Sequence, residues 1–353
     1  MLEALRECLP DTDLWVLWND DPQRFATAEE SWLARTPLRG RRALSLPLMP
    51  FVWRSVKGGR DYDWVLASTH LFAHHVRVRR QPLRKLAYVH TPARYIWAPE
   101  VDARGDGLVV RMASSSLRWL DRRRAQELYS IAANSSYIRD RIQRSWGRDS
   151  RVIYPPVNVE AIIAEDDWTR RLSDDELRIL DFIPKEFVLG ASRFVPYKRL
   201  DAAVRVGEIL GLPVVLAGQG PDEARLRDFA TASGIPVQFV TRPSTPLLYA
   251  LFQRAQLYVF FAVEDFGIMP VEAMAAGTPV LANSLGGAGE SVLTCRGGAV
   301  VRGLDSSSVL AAMGEISGVD GQALRGRTTM FSRERFGVEI SDWLHEVMDG
   351  ADG

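Results

Sequence analysis

Cysteine is scarce in this 353-residue sequence, and its scarcity excludes several classes of protein. Cys8 and Cys295 are the only two cysteines, and they stand far apart. Two distant thiols supply neither a disulfide framework nor the closely spaced ligands of a structural zinc site. No DxD run, HxH run or His/Asp cluster in the sequence suggests a metal site. We therefore expect a reduced, cytoplasmic protein without a metal or other cofactor.

The sequence also lacks long apolar runs. None approaches the roughly 18 residues that a bilayer-spanning helix requires, so no transmembrane helix is predicted. The N-terminus, MLEALREC, is charged and amphipathic and has no continuous apolar core of the kind found in signal peptides. Apolar residues at 46% and charged residues at 25% are ordinary for a globular protein. This length predicts about two domains.

A net charge of zero conceals an asymmetry between the two halves. Residues 1–160 hold 26 Lys/Arg against 18 Asp/Glu, whereas residues 161–353 hold 18 against 26. The basic half suits an anionic surface or acceptor, although an arginine-rich solvated face explains the same composition. Within it, residues 31–57 mix Arg with Trp, Leu, Met and Phe, which suits peripheral contact with the inner face of a membrane. A mobile acceptor loop without a membrane role is equally compatible. No nucleic-acid partner is expected.

One stretch in the second half combines a buried strand with the start of a helix. The apolar run Leu257–Phe261 is typical of a parallel strand, and a short glycine-containing loop follows it. Pro270 suits the first turn of a helix, and Gly277 suits a left-handed C-terminal cap before the next strand, residues 279–282. The unpaired N–H groups of such a helix N-terminus attract phosphate.

Two carboxylates, Glu264 and Glu272, flank this helix N-terminus. They can accept hydrogen bonds from sugar hydroxyls, although an acidic loop beside a helix start explains the spacing equally well. The run EDFGIMPVEAMAAGTPV resembles the signature of the retaining GT-B glycosyltransferases of family 4. This resemblance implies that Glu264 contacts the transferred sugar and that Glu272 contacts the ribose. It also places the loop residues Phe266, Gly267 and Ile268 in the donor site.

The rest of the second half alternates strands with helices of crossover length, which predicts a doubly wound parallel sheet. The resemblance implies an α/β protein with the GT-B fold, in which two Rossmann-like domains face each other across a cleft. We expect an acceptor-binding domain at residues 1–160, a nucleotide-sugar domain at 161–335, and a terminal helix at 336–353 that packs on the first domain. Similar enzymes have a first strand and a Gly-Gly loop that the sequence as given does not contain. Either the start lies further upstream, or the protein functions without them.

The candidate phosphate-binding loop is SRFVPYKRLD, which follows a predicted strand at residues 187–191. Arg193 and Lys198 in this loop can neutralise a diphosphate as the bond to the sugar breaks. Such residues are common on surfaces, but the loop resembles the donor-phosphate loop of the family. Gly218, in the turn GQGP, matches a family turn that shapes the nucleotide cleft, although an ordinary tight turn is nearly as plausible. Glu290 lies in a further turn that the family places near the donor.

The run HTPARY follows a predicted strand of the first half and places His90 at the end of that strand. A core histidine is the simple interpretation. The family has a histidine here near the transferred sugar, so the resemblance implies a sugar-hydroxyl contact or transition-state support rather than a metal ligand. In the second half, residues 241–248 are the expected edge for the nucleotide base.

HTPARY and YPPV most resemble the mannosyltransferase branch, whose members use GDP-mannose. The function expected is retaining, metal-independent transfer of a hexose, with mannose from GDP-mannose as the first choice. The acceptor is a saccharide or lipid-linked molecule in polysaccharide or glycoconjugate synthesis. UDP-glucose or a related donor remains an alternative. A second alternative is a non-catalytic, glycosyltransferase-like protein that binds a nucleotide sugar and serves a partner.

Overall fold

The computed structural model describes residues 1–59, 61–78, 84–97 and 108–349. The chain divides into two compact units. Unit 1 comprises Met1–Tyr154 with Gly337–Gly353, and unit 2 comprises Pro155–Phe336. The expected functional domains, with boundaries at residues 160 and 335, stay a prediction.

Unit 1 contains two parallel sheets. The smaller pairs β1 (Trp15–Val16) with β2 (Glu29–Glu30), and each of these strands has two residues. The larger has the order β3-β4-β5-β6. Its strands are β3 (Trp64–Thr69), β4 (Arg84–Val89), β5 (Ser130–Ala133) and β6 (Arg151–Val152).

Helices precede and connect the strands of unit 1. They are α1 (Leu2–Cys8), α2 (Arg42–Ser45), α3 (Met49–Arg54), α4 (Arg94–Trp97), α5 (Leu108–Ala125) and α6 (Ser136–Trp146). Helix α6 shows why the chain folds this way locally. The Ser135 hydroxyl accepts a hydrogen bond from the Ile138 N–H at 3.2 Å, and Gly147 ends the helix in the left-handed conformation. Trp146 is buried in the core beneath the sheet.

Unit 2 is built on one six-stranded sheet in which every pairing is parallel. Its strands are β7 (Val188–Ala191), β8 (Val214–Gly218), β9 (Val237–Thr241), β10 (Leu257–Phe260), β11 (Val280–Asn283) and β12 (Gly298–Val301). The spatial order is β12-β11-β10-β7-β8-β9, so the chain runs outward from β7 to β9 and then returns to the other side of β7. The expected α/β class with parallel sheets is confirmed.

Helices follow each strand of unit 2. They are α7 (Val159–Ile163), α8 (Asp174–Asp181), α9 (Asp201–Leu210), α10 (Glu223–Ala232), α11 (Thr245–Arg254), α12 (Ile268–Ala275), α13 (Gly287–Cys295), α14 (Ser306–Ile316), α15 (Gly321–Arg327) and α16 (Arg333–Asp349). The later part of α16 belongs to unit 1, where the Trp343 indole N–H donates to the Ser130 hydroxyl at 2.8 Å. Glu346 contacts Arg151 in the same unit.

The stretch at residues 164–181 is partly helical. Helix α8 begins with a capping box, in which the Ser173 hydroxyl accepts from the Glu176 N–H and the Glu176 carboxylate accepts from the Ser173 N–H. Three acidic residues in its first turn complement the helix dipole. Nowhere in the described part of the chain is a helix both long and apolar enough to cross a bilayer.

Candidate functional site

The strand order of unit 2 reverses between β7 and β10, which are neighbours in the sheet although β8 and β9 separate them in sequence. In open α/β sheets, ligands bind beyond the carboxyl ends of the strands at such a switch point. The loop with Arg193 and Lys198 follows β7, and the loop with Glu264 follows β10. The topology therefore brings together residues that the sequence singled out separately.

Lys198 and Glu264 meet at this switch point. The Lys198 ammonium donates a hydrogen bond to the Glu264 carboxylate. The lysine side chain is 9% exposed and lies 5.6 Å from the centroids of the Tyr197 and Phe260 rings. The glutamate side chain is 25% exposed. A cation and a carboxylate are thus fixed side by side, with the carboxylate open to solvent.

Two helix N-termini pack against each other beside this pair. Gly267, with φ 85°, is the N-cap of α12, and Gly286, with φ 97°, is the N-cap of α13. A Cβ added to Gly267 would lie 2.7 Å from the Cβ of Ala288, and one added to Gly287 would lie 2.2 Å from the Asp265 carbonyl oxygen. Only glycine permits this approach. Helix N-termini favour anions, so two of them at one sheet edge are consistent with the phosphate site expected from the sequence.

The expected donor-loop residues differ in exposure. The Phe266 side chain is buried, and its ring centroid lies 5.5 Å from that of Phe331. This packing anchors the loop to the interior of unit 2. Ile268 is 49% exposed at the start of α12. Glu290 lies in the first turn of α13, where the sequence indicated only a turn. Whether a donor contacts these residues stays a prediction.

Arg193 is positioned by Tyr197 in the same loop. Its guanidinium donates to the Tyr197 hydroxyl at 2.6 Å. The loop then closes with Arg199 in the left-handed conformation at φ 52°, which costs a non-glycine residue about 1 kcal/mol. Strained backbone of this kind is concentrated at functional sites.

Glu272 lies in the second turn of α12 and is partly buried. Its carboxylate accepts a hydrogen bond from the Tyr249 hydroxyl at 3.2 Å, and the Tyr249 ring lies edge-on to Trp168 with centroids 4.8 Å apart. Burial raises the pKa of Glu272, and the Tyr249 hydrogen bond opposes that rise. Tyr249 was not identified from the sequence, because only the fold brings α11 beside α12.

At the other end of this sheet edge, the turn after β8 packs on the loop after β7. A Cβ added to Gly218, which has φ 145°, would lie 1.8 Å from the Ser192 carbonyl oxygen. Gln219 is the next residue, and its side-chain oxygen accepts from the Arg242 guanidinium at 2.5 Å. Arg242 directly follows β9 and has φ 52°. Its side chain therefore lies within the segment expected to face the base.

His90 belongs to unit 1, where it follows β4. Its Nε2 lies 2.9 Å from the Ser68 hydroxyl at the end of β3. Burial lowers the pKa of His90 to about 4, so the ring is neutral at pH 7. Both residues line a cavity of about 680 Å³ between α1, β1, β3 and α3. The predicted contact of His90 with a transferred sugar stays a prediction.

A His/Asp cluster exists in unit 1, although none was expected from the sequence. The Asp121 carboxylate lies 3.1 Å from His74 Nε2 and 3.0 Å from His75 Nε2, and all three residues are buried. Its second oxygen accepts from the indole N–H groups of Trp97 and Trp146, each at 2.7 Å. The ring nitrogens and the carboxylate have the ligand types for a metal ion. The two indole bonds show that the carboxylate also ties α4 and α6 to α5.

Burial and the contacts among these three residues shift the pKa values of Asp121 and His75. Burial raises the pKa of Asp121, but His74 and His75 outweigh it and lower that pKa below the usual range. Burial lowers the pKa of His75 to about 4, against a smaller opposing effect of Asp121. Sequence reasoning missed the cluster because Asp121 lies 46 residues after His75 in the chain.

Comparison with known proteins bears on the same region. The family described as "Glycosyl transferases group 1" matches residues 178–312. The GDP-mannose-dependent alpha-(1-6)-phosphatidylinositol monomannoside mannosyltransferase of Mycobacterium tuberculosis is 31% identical over 204 residues, which are 52% of this chain and 51% of that protein. The D-inositol 3-phosphate glycosyltransferase of Mycolicibacterium paratuberculosis is 35% identical over 133 residues, or 35% of this chain and 30% of that protein. The chain thus spans about half the length, or less, of these curated relatives.

Solved structures share the fold across most of the chain. Sucrose-phosphate synthase from Thermosynechococcus elongatus has a TM-score of 0.66 at 17% identity, covering 92% of this chain and 84% of that one. Anabaena Alr3699/HepE in complex with UDP-glucose has a TM-score of 0.63 at 18% identity, covering 98% and 94%. Residues 178–312 therefore match the group 1 glycosyl transferases, and the chain has the α/β fold, with parallel sheets, of GT-B glycosyltransferases.

Proposed function

We propose that this chain is a retaining glycosyltransferase of family 4 that transfers a hexose from a nucleotide sugar to a saccharide or lipid-linked acceptor. The observation that carries the proposal is the Lys198–Glu264 pair beside the N-termini of α12 and α13. A diphosphate needs cations and N–H donors, whereas a sugar needs a carboxylate that accepts from its hydroxyls. This sheet edge offers both.

In the proposed reaction, the bond between the anomeric carbon and the diphosphate oxygen breaks, and its electron pair leaves with the diphosphate. Lys198, Arg193 and the two helix N-termini stabilise the growing negative charge. The acceptor hydroxyl attacks the same face of the sugar, and its proton passes to the departing diphosphate oxygen. Glu264 orients the sugar by accepting from its hydroxyls. No carboxylate nucleophile and no metal ion is required in this scheme.

GDP-mannose is the donor that we favour. One line of support is that the mannosyltransferase relative is described as GDP-mannose-dependent. The other is Arg242, whose guanidinium can donate to O6 and N7 of guanine in a bidentate arrangement. Glu272 is the acceptor for the ribose hydroxyls. UDP-glucose is the second candidate, because the Anabaena protein with this fold was solved with that donor.

The experiment is a donor screen in which mass spectrometry follows several nucleotide sugars with the purified chain, with and without short mannosides and lipid-linked acceptors. We expect GDP-mannose to be consumed and GDP to be released. If UDP-glucose is consumed instead, the donor differs from the one we favour, but the proposed type of reaction stands. If nucleotides bind but no donor is consumed with any acceptor, a non-catalytic nucleotide-sugar-binding protein explains the site better.

A further inference from the structure

The segment that includes α2 and α3 has two apolar faces. One face packs into unit 1, where Leu46, Met49 and Val52 are at most 3% exposed. The other face carries Leu44 at 62% and Phe51 at 66% exposed. A helical segment needs only one apolar face to cover a core. The second face therefore requires another explanation.

The exposed residues form one surface. Leu44, Leu48 and Phe51 stand at i, i+4 and i+7 across α2, the turn at residues 46–48 and α3. Leu46 and Leu48 in that turn keep right-handed helical backbone, so this spacing places the three side chains on one side of the segment. Trp32, 46% exposed, lies alongside, because its indole N–H donates to the hydroxyl of Ser55 at 3.1 Å. We call Trp32, Leu44, Leu48 and Phe51 the exposed apolar face. A group of exposed bulky apolar side chains on one side of a segment is typical of an interaction site.

The charged residues of the segment that carries this face are all cationic. Residues 31–57 contain six Lys or Arg residues and no Asp or Glu. Arg35, Arg41 and Lys57 are exposed, whereas Arg39 and Arg54 pair with Glu30 and Glu127. Bulky exposed apolar side chains on a segment with three exposed cations are complementary to an anionic lipid surface, in which apolar chains lie beneath negative headgroups.

We propose that the exposed apolar face docks unit 1 on an anionic lipid bilayer. Leu44, Leu48, Phe51 and Trp32 enter the boundary between headgroups and acyl chains, while the surrounding cations pair with lipid phosphates. The inference does not rest on the donor chemistry of unit 2. It goes beyond the proposed function by assigning the surface through which the chain would reach a lipid-linked acceptor.

Vesicle co-sedimentation tests this proposal. The probes are vesicles of phosphatidylcholine alone and of phosphatidylcholine mixed with phosphatidylglycerol. We expect the chain to pellet only with the mixed vesicles, and to be released at about 1 M salt, where the Debye length is about 3 Å. Phe51→Ser should weaken binding about tenfold, and Leu44→Ser should act in the same direction. Arg41→Gln should weaken it about fivefold.

Matched variants in unit 2 control for general effects. Phe182→Ser removes an aromatic side chain that is 80% exposed, and Arg178→Gln neutralises an exposed cation. Both should leave vesicle binding unchanged. GDP titration of each variant should also be unchanged, which separates this test from that of the proposed function.

Two outcomes would overturn the proposal. One is that the wild-type chain stays in the supernatant with mixed vesicles at low salt. The other is that Phe182→Ser lowers pelleting as much as Phe51→Ser does. If the chain does not pellet but is a dimer that Phe51→Ser turns into a monomer, the face joins two copies of the chain and the lipid proposal is wrong.

Discussion

The Lys198 ammonium contacts the Glu264 carboxylate across two strands that are adjacent in the sheet but are separated in sequence by two further strands. Without a donor, each group balances the charge of the other in a partly buried environment. A diphosphate and a sugar would divide this pair, because the phosphate attracts the lysine and the hydroxyls attract the carboxylate. In the proposed function, the pair would keep both groups in place until a donor binds.

Replacement of Lys198 tests the role of the cation in the leaving-group step. Lys198→Ala should lower kcat about 100- to 1000-fold, because the contact strengthens as charge develops on the diphosphate. The affinity for GDP should fall far less. Lys185→Ala removes an exposed lysine of the same unit and should leave kcat unchanged. Steady-state kinetics with the donor found in the screen give kcat for both variants. An unchanged kcat in Lys198→Ala would exclude the proposed role.

The Tyr249–Glu272 hydrogen bond predicts how nucleotide affinity depends on pH. Burial raises the pKa of Glu272, and the Tyr249 hydroxyl lowers it by bonding the ionised form. A carboxylate accepts hydroxyl hydrogen bonds more strongly when it is ionised, so if Glu272 binds the ribose, affinity should fall as the pH drops through this raised pKa. Tyr249→Phe removes the opposing effect, and the fall should then begin at a higher pH.

Calorimetric titration of GDP over a series of pH values measures this shift. Tyr197→Phe removes a tyrosine hydroxyl elsewhere in the site and should not move the pH profile. A profile in Tyr249→Phe that is unchanged, or moved to lower pH, would show that Glu272 does not act as the ionised ribose acceptor.

His75 makes the stability of unit 1 sensitive to acid. Its folded pKa is about 4, below the ordinary 6.5, so the unfolded chain binds this proton more readily. The neutral form therefore stabilises the fold at pH 7, and this contribution is lost as the pH falls from about 6.5 to 4. The loss amounts to about 3 kcal/mol at most.

Urea unfolding followed by tryptophan fluorescence at pH 7 and pH 5 tests this prediction. His75→Gln should lose less stability between the two pH values than the wild type does, whatever its stability at pH 7. His345→Gln, which changes an exposed histidine of α16, should behave as the wild type. Equal pH dependence in all three proteins would contradict the assignment.

Arg242 gives a prediction about base selectivity. Its left-handed φ of 52° costs about 1 kcal/mol, so Arg242→Gly should preserve or raise stability. The same change removes the guanidinium and should reduce the preference for GDP over UDP about tenfold. Arg296→Gly relieves a similar φ of 48° at the far end of α13 and should not alter selectivity. Competition binding with GDP and UDP decides this, and an unchanged preference would remove Arg242 from the base site.

The sequence predicted the strand, loop and helix around Gly267 because the pattern is local. An apolar strand, a glycine with positive φ and a proline in the first helical turn each depend on a few neighbouring residues. Helix α13 was expected to be a turn, since Gly286 and Gly287 disfavour a helix by themselves. Close packing against the 264–266 loop, which only glycine allows, outweighs that preference.

Contacts between distant segments could not be predicted in the same way. Nothing near Lys198 in the sequence indicates Glu264 as its partner, because their contact depends on the strand order. The same applies to Tyr249 with Glu272. Helix α8 is a different case, since the S-D-D-E capping box that begins it is visible in the sequence.

The two glutamates test the central claim, that the sheet edge of unit 2 binds a nucleotide sugar and reacts with it. The measurement is calorimetric titration of GDP into Glu272→Ala and Glu264→Ala, with turnover measured on the same preparations. We predict that Glu272→Ala weakens GDP binding about 10- to 100-fold, because ribose hydroxyls lose a charged acceptor. We predict that Glu264→Ala keeps near-native GDP affinity but loses most of its turnover. Unchanged GDP affinity in Glu272→Ala, together with full turnover in Glu264→Ala, would contradict the account.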